Sequence, residues 1–385
     1  LGIVIGLFLP NTDFHLNTEL FLALVIGPLL FRESEEADIT AILKHWRIIV
    51  YLIFPVIFIS TLSLGGLAHL LWLSLPLAAC LAVGAALGPT DLVAFASLSE
   101  RFSFPKRVSN ILKGEGLLND ASGLVAFQVA LTAWTTGVFS FGQASSSLIF
   151  SILGGFLIGF LTAMTNRFLH TFLLSVRATD IASELLLELS LPLVTFFLAE
   201  EVHVSGIIAV VVAGILKASR FKKITLLEAQ VDTVTETVWH TVNFMLNGSV
   251  FVILGMELEM IAEPILTNPI YNPLLLLVSL VALTFVLFAI RFAMIYGYYA
   301  YRTRRLKKKL NKYMKDMLLL TFSGVKGTVS IATILLIPSD LEQEYPLLLF
   351  LVAGVTLLSF LTGLLVLPHL SDEQEESKDY LMHIA

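Results

Sequence analysis

Long apolar runs are the feature of this chain that most restricts its fold. About twelve such segments can be read along the sequence, and most are long enough to cross a bilayer as helices. They run over 2–9, 17–31, 48–66, 75–99, 109–134, 144–166, 183–200, 204–216, 238–256, 273–300, 316–337 and 346–368. Only 14% of the residues are charged, whereas soluble proteins carry roughly a quarter. We therefore predict an all-α, polytopic membrane protein with a single transmembrane domain over residues 1–385.

The two ends of the chain suggest a truncated start and a short tail. The first segment, 2–9, is too short to span a bilayer and is not preceded by a methionine. We expect a truncated helix there and a native protein that starts further upstream. Residues 369–385 read as a short acidic cytoplasmic tail.

The basic residues predict the orientation. All lysines and arginines except Lys113, Arg291 and Lys326 fall in alternate loops or in the tail, and the opposite loops carry acidic residues instead. By the positive-inside rule, the basic loops and the C-terminus are cytoplasmic in a multi-pass protein of the plasma membrane. This rule also accounts for the basic run 302–315, so we expect no nucleic acid partner.

Polar residues within the apolar segments predict an ion or proton site. Asp120 falls near the centre of segment 109–134, at the end of Gly-Glu-Gly-Leu-Leu-Asn-Asp, and Thr90-Asp91 directly follows Gly88-Pro89 in another segment. An ionised carboxylate at that depth costs several kcal/mol, so such acids are functional far more often than structural.

Two of the segments are predicted to contain broken helices. Pro89 has no N–H, and its ring clashes with the preceding turn, so the first helix must kink or unwind. Residues 323–328, Ser-Gly-Val-Lys-Gly-Thr, repeat this pattern in the second half of the chain. Interrupted helices in both halves indicate a transporter built from inverted repeats.

Helical geometry then groups the polar residues. Glu115 and Asn119 share a helical face, and Asp120 lies one step, about 100°, around the helix. Thr90 and Asp91 add a hydroxyl and a carboxylate, the oxygen ligands that Na⁺ or Li⁺ prefers. Arg291 and Glu115 fall at comparable depth with opposite charge, so we expect a structural ion pair that leaves Asp120 to exchange a proton for a cation.

These residues resemble the bacterial sodium/proton antiporters of the cation:proton antiporter-1 family, related to the animal sodium/hydrogen exchangers. Thr90-Asp91 is similar to the Thr-Asp of the first crossing helix of that family, and 114–120 is similar to its Asn-Asp signature. Arg291 matches an arginine in the helix before the second crossing helix. The sequence departs from the family at Gly116, where serine is frequent, and at Lys326, where arginine is usual.

The resemblance implies an inverted-repeat antiporter fold with two broken crossing helices and alternating access. It implies exchange of Na⁺ or Li⁺, with K⁺ left open, for protons at Asp120, Asn119, Asp91, Thr90 and Glu115. The Asn-Asp pair implies electroneutral exchange. We expect no cofactor and no bound metal beyond the transported cation, and we expect a homodimer in contact with membrane lipid.

Lys326 has two possible roles. It either offsets the partial negative charge of the half-helix carbonyl ends or joins the proton pathway and makes transport electrogenic. We expect the first.

Two other classes of function remain open at this point. Asp91 and Asp120 on different helices would meet the minimum requirement of an intramembrane aspartyl hydrolase. A cation channel is the other alternative, although no filter-like repeat is visible in the sequence.

Overall fold

The computed structural model is almost entirely helical in the part of the chain that it describes, which confirms the all-α prediction. The described residues are 18–91, 94–95, 98, 102–137, 141–176, 180–218, 226–267, 271–305, 310–334, 336–337, 345–370 and 372–373. The predicted segment 2–9 and the tail after residue 373 lie outside these residues.

The N-terminal helices contain two irregular turns. The helices are α1 (Thr18–Phe21), α2 (Gly27–Glu36), α3 (Ile39–Leu43), α4 (Trp46–Tyr51), α5 (Ile57–Leu71) and α6 (Leu77–Ala86). π-Helical turns over Leu22–Ile26 and Leu52–Val56 join α1 to α2 and α4 to α5. The second turn contains Pro55, whose missing N–H interrupts the regular hydrogen-bond ladder.

The middle of the chain forms the longest helices. They are α7 (Lys106–Thr136), α8 (Phe141–Ser175), α9 (Ile181–Glu201), α10 (Gly206–Ala218) and α11 (Leu226–Thr267). α7 ends at Gly137, whose φ of 70° is the left-handed conformation that glycine adopts most readily at a helix C-terminus. α9 begins with a capping box in which Asp180 accepts a hydrogen bond from the Ser183 N–H.

The C-terminal part contains an interrupted helix and the last long helix. It comprises α12 (Pro273–Arg305), a 3₁₀ turn (Leu310–Tyr313), α13 (Met314–Phe322), α14 (Thr328–Ile334) and α15 (Tyr345–Leu370). Two short strands, β1 (Phe102–Ser103) and β2 (Asp372–Glu373), form an antiparallel ladder that joins the end of α15 to the loop before α7.

Five helices in the described part of the chain are long and apolar enough to cross a membrane. They are Trp46–Leu71, Ile149–Leu173, Ile181–Glu201, Pro273–Arg305 and Tyr345–Leu370. Their outer faces carry large apolar side chains such as Phe285 and Leu365, which are 72% and 70% exposed. Lipid contact accounts for such faces. The architecture is that of a multi-pass membrane protein.

Two large apolar clusters form most of the interior, and both interruptions pass from one to the other. One cluster joins α2, α4, α7, α10, α12 and α13, and the other joins α5, α6, α12, α14 and α15. The first interruption leaves one cluster at Leu87 and enters the other at Ala94, and the second interruption passes from Val325 to Ile331 between the same two clusters. Both interruptions are therefore buried in protein, where non-helical backbone is tolerated at membrane depth.

Candidate cation site

The first interruption follows α6. Leu87 caps that helix, and the chain leaves the helical conformation through Gly88, Pro89 and Thr90. Asp91 starts the next helical turn, because its carboxylate Oδ1 accepts a hydrogen bond from the Ala94 N–H at 2.9 Å. Asp91 is therefore a buried N-cap inside the protein.

The second interruption separates α13 from α14 and contacts the first one directly. The backbone N–H of Asp91 donates to the Val325 carbonyl at 3.1 Å. The Lys326 ammonium, only 1% exposed, donates to the carbonyl oxygens of Gly88 at 2.8 Å and Pro89 at 2.6 Å. These carbonyls follow the C-terminal end of α6, where partial negative charge collects.

Glycines make this close contact possible. A Cβ added to Gly327 would lie 2.0 Å from Asp91 Oδ2, and one added to Gly324 would lie 2.2 Å from Arg291 Nε. On α7, a Cβ at Gly123 would lie 2.0 Å from the Pro89 ring. Any side chain at these three positions would therefore displace a group of the site.

Glu115 and Arg291 form a buried bidentate ion pair. Nη1 and Nη2 of Arg291 donate to Oε1 and Oε2 of Glu115 at 2.7 and 2.8 Å, and the two residues are 3% and 1% exposed. Arg291 Nε also donates to the Leu320 carbonyl at 3.0 Å. Opposite charges so closely matched form a neutral unit. In this arrangement Glu115 neutralises Arg291 and accepts a further hydrogen bond from the Thr90 hydroxyl at 3.1 Å.

Asn119 links α7 to the first interruption and presents one unsatisfied oxygen. Its amide nitrogen donates to the Thr90 carbonyl at 2.8 Å and to Thr90 Oγ1 at 2.7 Å. A carbonyl can only accept, so this contact assigns the nitrogen and leaves Oδ1 on the other side of the amide. Oδ1 is buried and has no hydrogen-bond partner among the described residues. Buried oxygens rarely remain unpaired, so a water or a cation is the expected partner.

Asp120 lies on the turn of α7 between Asn119 and Gly123, both of which contact the first interruption. Its side chain lies outside what the structure describes, so its role in exchange stays a prediction. The structure brings together the other candidate residues, which are Thr90, Asp91, Glu115, Asn119, Arg291 and Lys326.

Glu33 is a further charged residue near this site that the sequence analysis did not single out. It interacts electrostatically with Asp91 and with Lys113 of α7. The spacing of the charged residues along α2 could have identified Glu33 from the sequence. Arg32, Glu35 and Glu36 share one face, and Arg32 forms an ion pair with each of the two glutamates. Glu33 lies about 100° away from Arg32 around the helix.

The donor set suits an alkali cation. Carboxylate, amide, hydroxyl and carbonyl oxygens surround the two interruptions, and these are hard ligands. In the part of the chain that the structure describes, no three His, Cys, Asp or Glu side chains are grouped so as to hold a metal ion. Carboxylate and neutral oxygens are thus the ligands that these described residues present.

Comparison with known proteins identifies the family of the chain. The family model described as "Sodium/hydrogen exchanger, transmembrane" matches residues 1–371. Two curated relatives are named "Sodium, potassium, lithium and rubidium/H(+) antiporter". The relative from Bacillus pumilus is 34% identical over 98% of this chain, and the one from Bacillus subtilis is 35% identical over 97%. This chain spans 57% of the length of each.

A solved structure shares the fold. The sodium proton antiporter MjNhaP1 from Methanocaldococcus jannaschii at pH 8 is similar with a TM-score of 0.64 and 17% sequence identity. The match covers 95% of this chain and 88% of the archaeal one. With the family model matched over nearly the whole sequence, the chain belongs to the transmembrane sodium/hydrogen exchanger family.

Proposed function

We propose that this chain exchanges a monovalent cation, Na⁺ or Li⁺, for protons across the membrane by alternating access. One observation carries the proposal. Two helix interruptions meet at a buried site, where the positively charged side chains of Arg291 and Lys326 already contact protein acceptors. The Oδ1 atom of Asn119, the residue before Asp120 in the sequence, has no hydrogen-bond partner among the described residues. A cation entering this site meets an available oxygen and a carboxylate that can release a proton.

Competition at Asp120 couples the two fluxes. Desolvation disfavours the charged form of a carboxylate, so the acid holds a proton when the cation is absent and releases it when the cation binds. Asn119, Asp91 and Thr90 would supply the remaining oxygens. The Glu115–Arg291 pair and Lys326 would keep their charges throughout, so one cation replaces one proton and the exchange is electroneutral.

Proton flux in reconstituted vesicles tests this function. Vesicles with an imposed pH gradient should lose it on addition of Na⁺ or Li⁺, because the inward and outward ions share one site. Asp120→Asn should abolish the response, since the amide cannot release a proton. Asp180→Asn, which removes the same charge at an exposed helix start, is the matched control and should retain full exchange. Normal exchange by folded Asp120→Asn protein would contradict the assignment.

We also propose a plasma-membrane location with the C-terminus in the cytoplasm, and a homodimer surrounded by lipid. The basic loops support this orientation. Cys80 is the single cysteine of the sequence and is buried, so a Cys80→Ser, Lys378→Cys protein offers one labelling site in the tail. Labelling of whole cells by an impermeant thiol reagent would contradict the orientation, and a monomeric mass in mild detergent would contradict the dimer.

A further inference from the structure

Ser359 of α15 contacts the second interruption from a helix outside the candidate site. Its hydroxyl oxygen accepts a hydrogen bond from the backbone N–H of Lys326 at 3.0 Å. The same hydroxyl donates to the Thr356 carbonyl, one turn earlier on α15, at 2.8 Å. Ser359 is fully buried, so water does not compete for either bond. Its hydrogen is used within α15, and only its oxygen is offered to Lys326.

This contact satisfies a group that the interruption exposes. Lys326 lies between α13 and α14, so its N–H has no helical partner. An unsatisfied backbone N–H at membrane depth is costly, and a hydroxyl from a neighbouring helix removes that cost. Gly363, one turn further along α15, lets the helix approach, because a Cβ there would lie 2.7 Å from Val325 Cγ1. α15 therefore supports the interruption at two successive turns.

Lys326 connects this support to the candidate cation site. Its backbone is held by Ser359, while its ammonium holds the carbonyl oxygens of Gly88 and Pro89. The next residue along the first interruption is Thr90, whose carbonyl is bound by Asn119. A shift of the Lys326 backbone would therefore move oxygens of the candidate cation site.

We propose that Ser359 is a positioning residue for cation binding. It acts through Lys326, fixing the backbone from which the ammonium reaches the first interruption, and it does not itself contact the cation. This role rests on the proposed exchange function, which the Asp120→Asn experiment tests separately.

The chain offers a closely matched control for this proposal. Ser279 of α12 is also fully buried, and its hydroxyl donates to the Leu275 carbonyl at 2.6 Å while accepting a bond from Trp72 Nε1 at 2.9 Å. Ser359→Ala and Ser279→Ala thus remove the same two kinds of hydrogen bond. Only Ser359 is connected to the site through Lys326.

The two variants should behave differently in cation affinity. Both should lower the thermal unfolding temperature by similar amounts. Ser359→Ala should raise the Na⁺ concentration for half-maximal exchange by roughly tenfold, the equivalent of one buried hydrogen bond. Ser279→Ala should leave that concentration unchanged. Ser359→Cys, with a weakly accepting sulfur, should lie between wild type and Ser359→Ala.

A double substitution tests whether Ser359 acts through Lys326. In a Lys326→Met background, Ser359→Ala should change the half-maximal Na⁺ concentration no further, because the ammonium is already absent. Independent, multiplying effects would overturn the proposal, and so would an unchanged Na⁺ dependence in Ser359→Ala or an equal change in Ser279→Ala. If Lys326→Met does not fold, the comparison of Ser359→Ala with Ser279→Ala tests the proposal without it.

A binding measurement separates this proposal from the transport function. Na⁺ should raise the unfolding temperature of the detergent-solubilised protein, and Ser359→Ala should shift the Na⁺ dependence of that increase to higher concentration. If Na⁺ stabilises the wild-type protein without any proton flux, exchange is contradicted, while a shifted Na⁺ dependence in Ser359→Ala still supports the role of Ser359. A Na⁺ dependence that Ser359→Ala does not shift would overturn the role of Ser359, and the absence of any Na⁺ effect would contradict both.

Discussion

At the scale of single residues, each positively charged side chain described at the site contacts acceptors that match its shape. The planar guanidinium of Arg291 holds both oxygens of Glu115, and the compact ammonium of Lys326 holds two neighbouring carbonyls. Arginine is usual at position 326 in the family that the sequence resembles, but lysine is compatible with these contacts. Two backbone carbonyls require a positive charge and hydrogen-bond donors, and they do not require the planar guanidinium group.

The Glu115–Arg291 pair should show strong coupling in a double-mutant cycle. Glu115→Gln or Arg291→Gln alone strands a buried charge and should lower the free energy of unfolding by about 3–5 kcal/mol. The double substitution removes both charges and should recover much of that loss. Thermal or denaturant unfolding of the four proteins measures the coupling. Strictly additive losses would show that the pair contributes no interaction energy.

At the scale of elements, ion pairs and caps join the helices outside the site. Lys217 of α10 contacts Glu188 of α9 at 2.7 Å and Glu35 of α2 at 3.4 Å. Glu188 also accepts a hydrogen bond from the indole N–H of Trp239 on α11 at 2.9 Å. Four helices are thereby joined at one partly buried point. Glu188 therefore links α9 to both α10 and α11.

The start of α9 should lose its cap in acid. The pKa of Asp180 is lowered mainly by the hydrogen bond from the Ser183 side chain and further by the one from the Ser183 backbone N–H. A lowered pKa means that the cap stabilises the helix start fully above the ordinary aspartate value near 4, and that this stabilisation is lost as the pH falls through the folded value. Hydrogen-exchange protection of the Ser183 amide should therefore decrease in that range.

Asp180→Asn provides the comparison for the pH dependence. Asparagine caps a helix about as well as aspartate and does not titrate there. Protection of the Ser183 amide in this variant should stay constant over the same pH range. An equal decrease in both proteins would assign the effect to some other titrating group.

At the scale of the whole molecule, the candidate site joins the two halves of the chain. Residues 88–91 come from the first half and 323–327 from the second, and their backbones contact each other through Asp91 and Val325. The two halves of the chain therefore contact each other through their backbones at the candidate cation site. In the proposed exchange, the charge that moves in one cycle depends on which groups at this site change protonation.

Exchange should generate no membrane potential if Lys326 keeps its proton throughout. Its ammonium donates to two carbonyls, which a neutral amine would satisfy less well. Lys326→Arg should therefore retain Na⁺-driven proton flux, and a potential-sensitive dye in the same vesicles should report no charge movement in either protein. A Na⁺-driven potential that disappears in Lys326→Arg would instead place Lys326 in the proton pathway.

Sequence reasoning predicted the class of the protein, its family and the location of both interruptions. A bilayer imposes strict rules on the length, backbone hydrogen bonding and charge of each segment, so these features can be predicted from short stretches of sequence. These stretches are the apolar segments, the basic loops, Gly88-Pro89 and the glycines around Lys326. The contact between Glu115 and Arg291 could also be anticipated, because depth along two helices restricts a charged pair to few partners.

The groups that hold the interruptions in place became evident from the packing of the helices. Three contacts depend on how each helix is rotated about its axis. They are the contact of Ser359 with the Lys326 N–H, the contact of Lys326 with the first interruption, and the proximity of Glu33 to Asp91. In a membrane protein, lipid-facing and buried positions are both apolar, so the sequence pattern does not define that rotation. Phe285 and Phe288 illustrate the reason, since the first is 72% exposed and the second only 7% on the same helix.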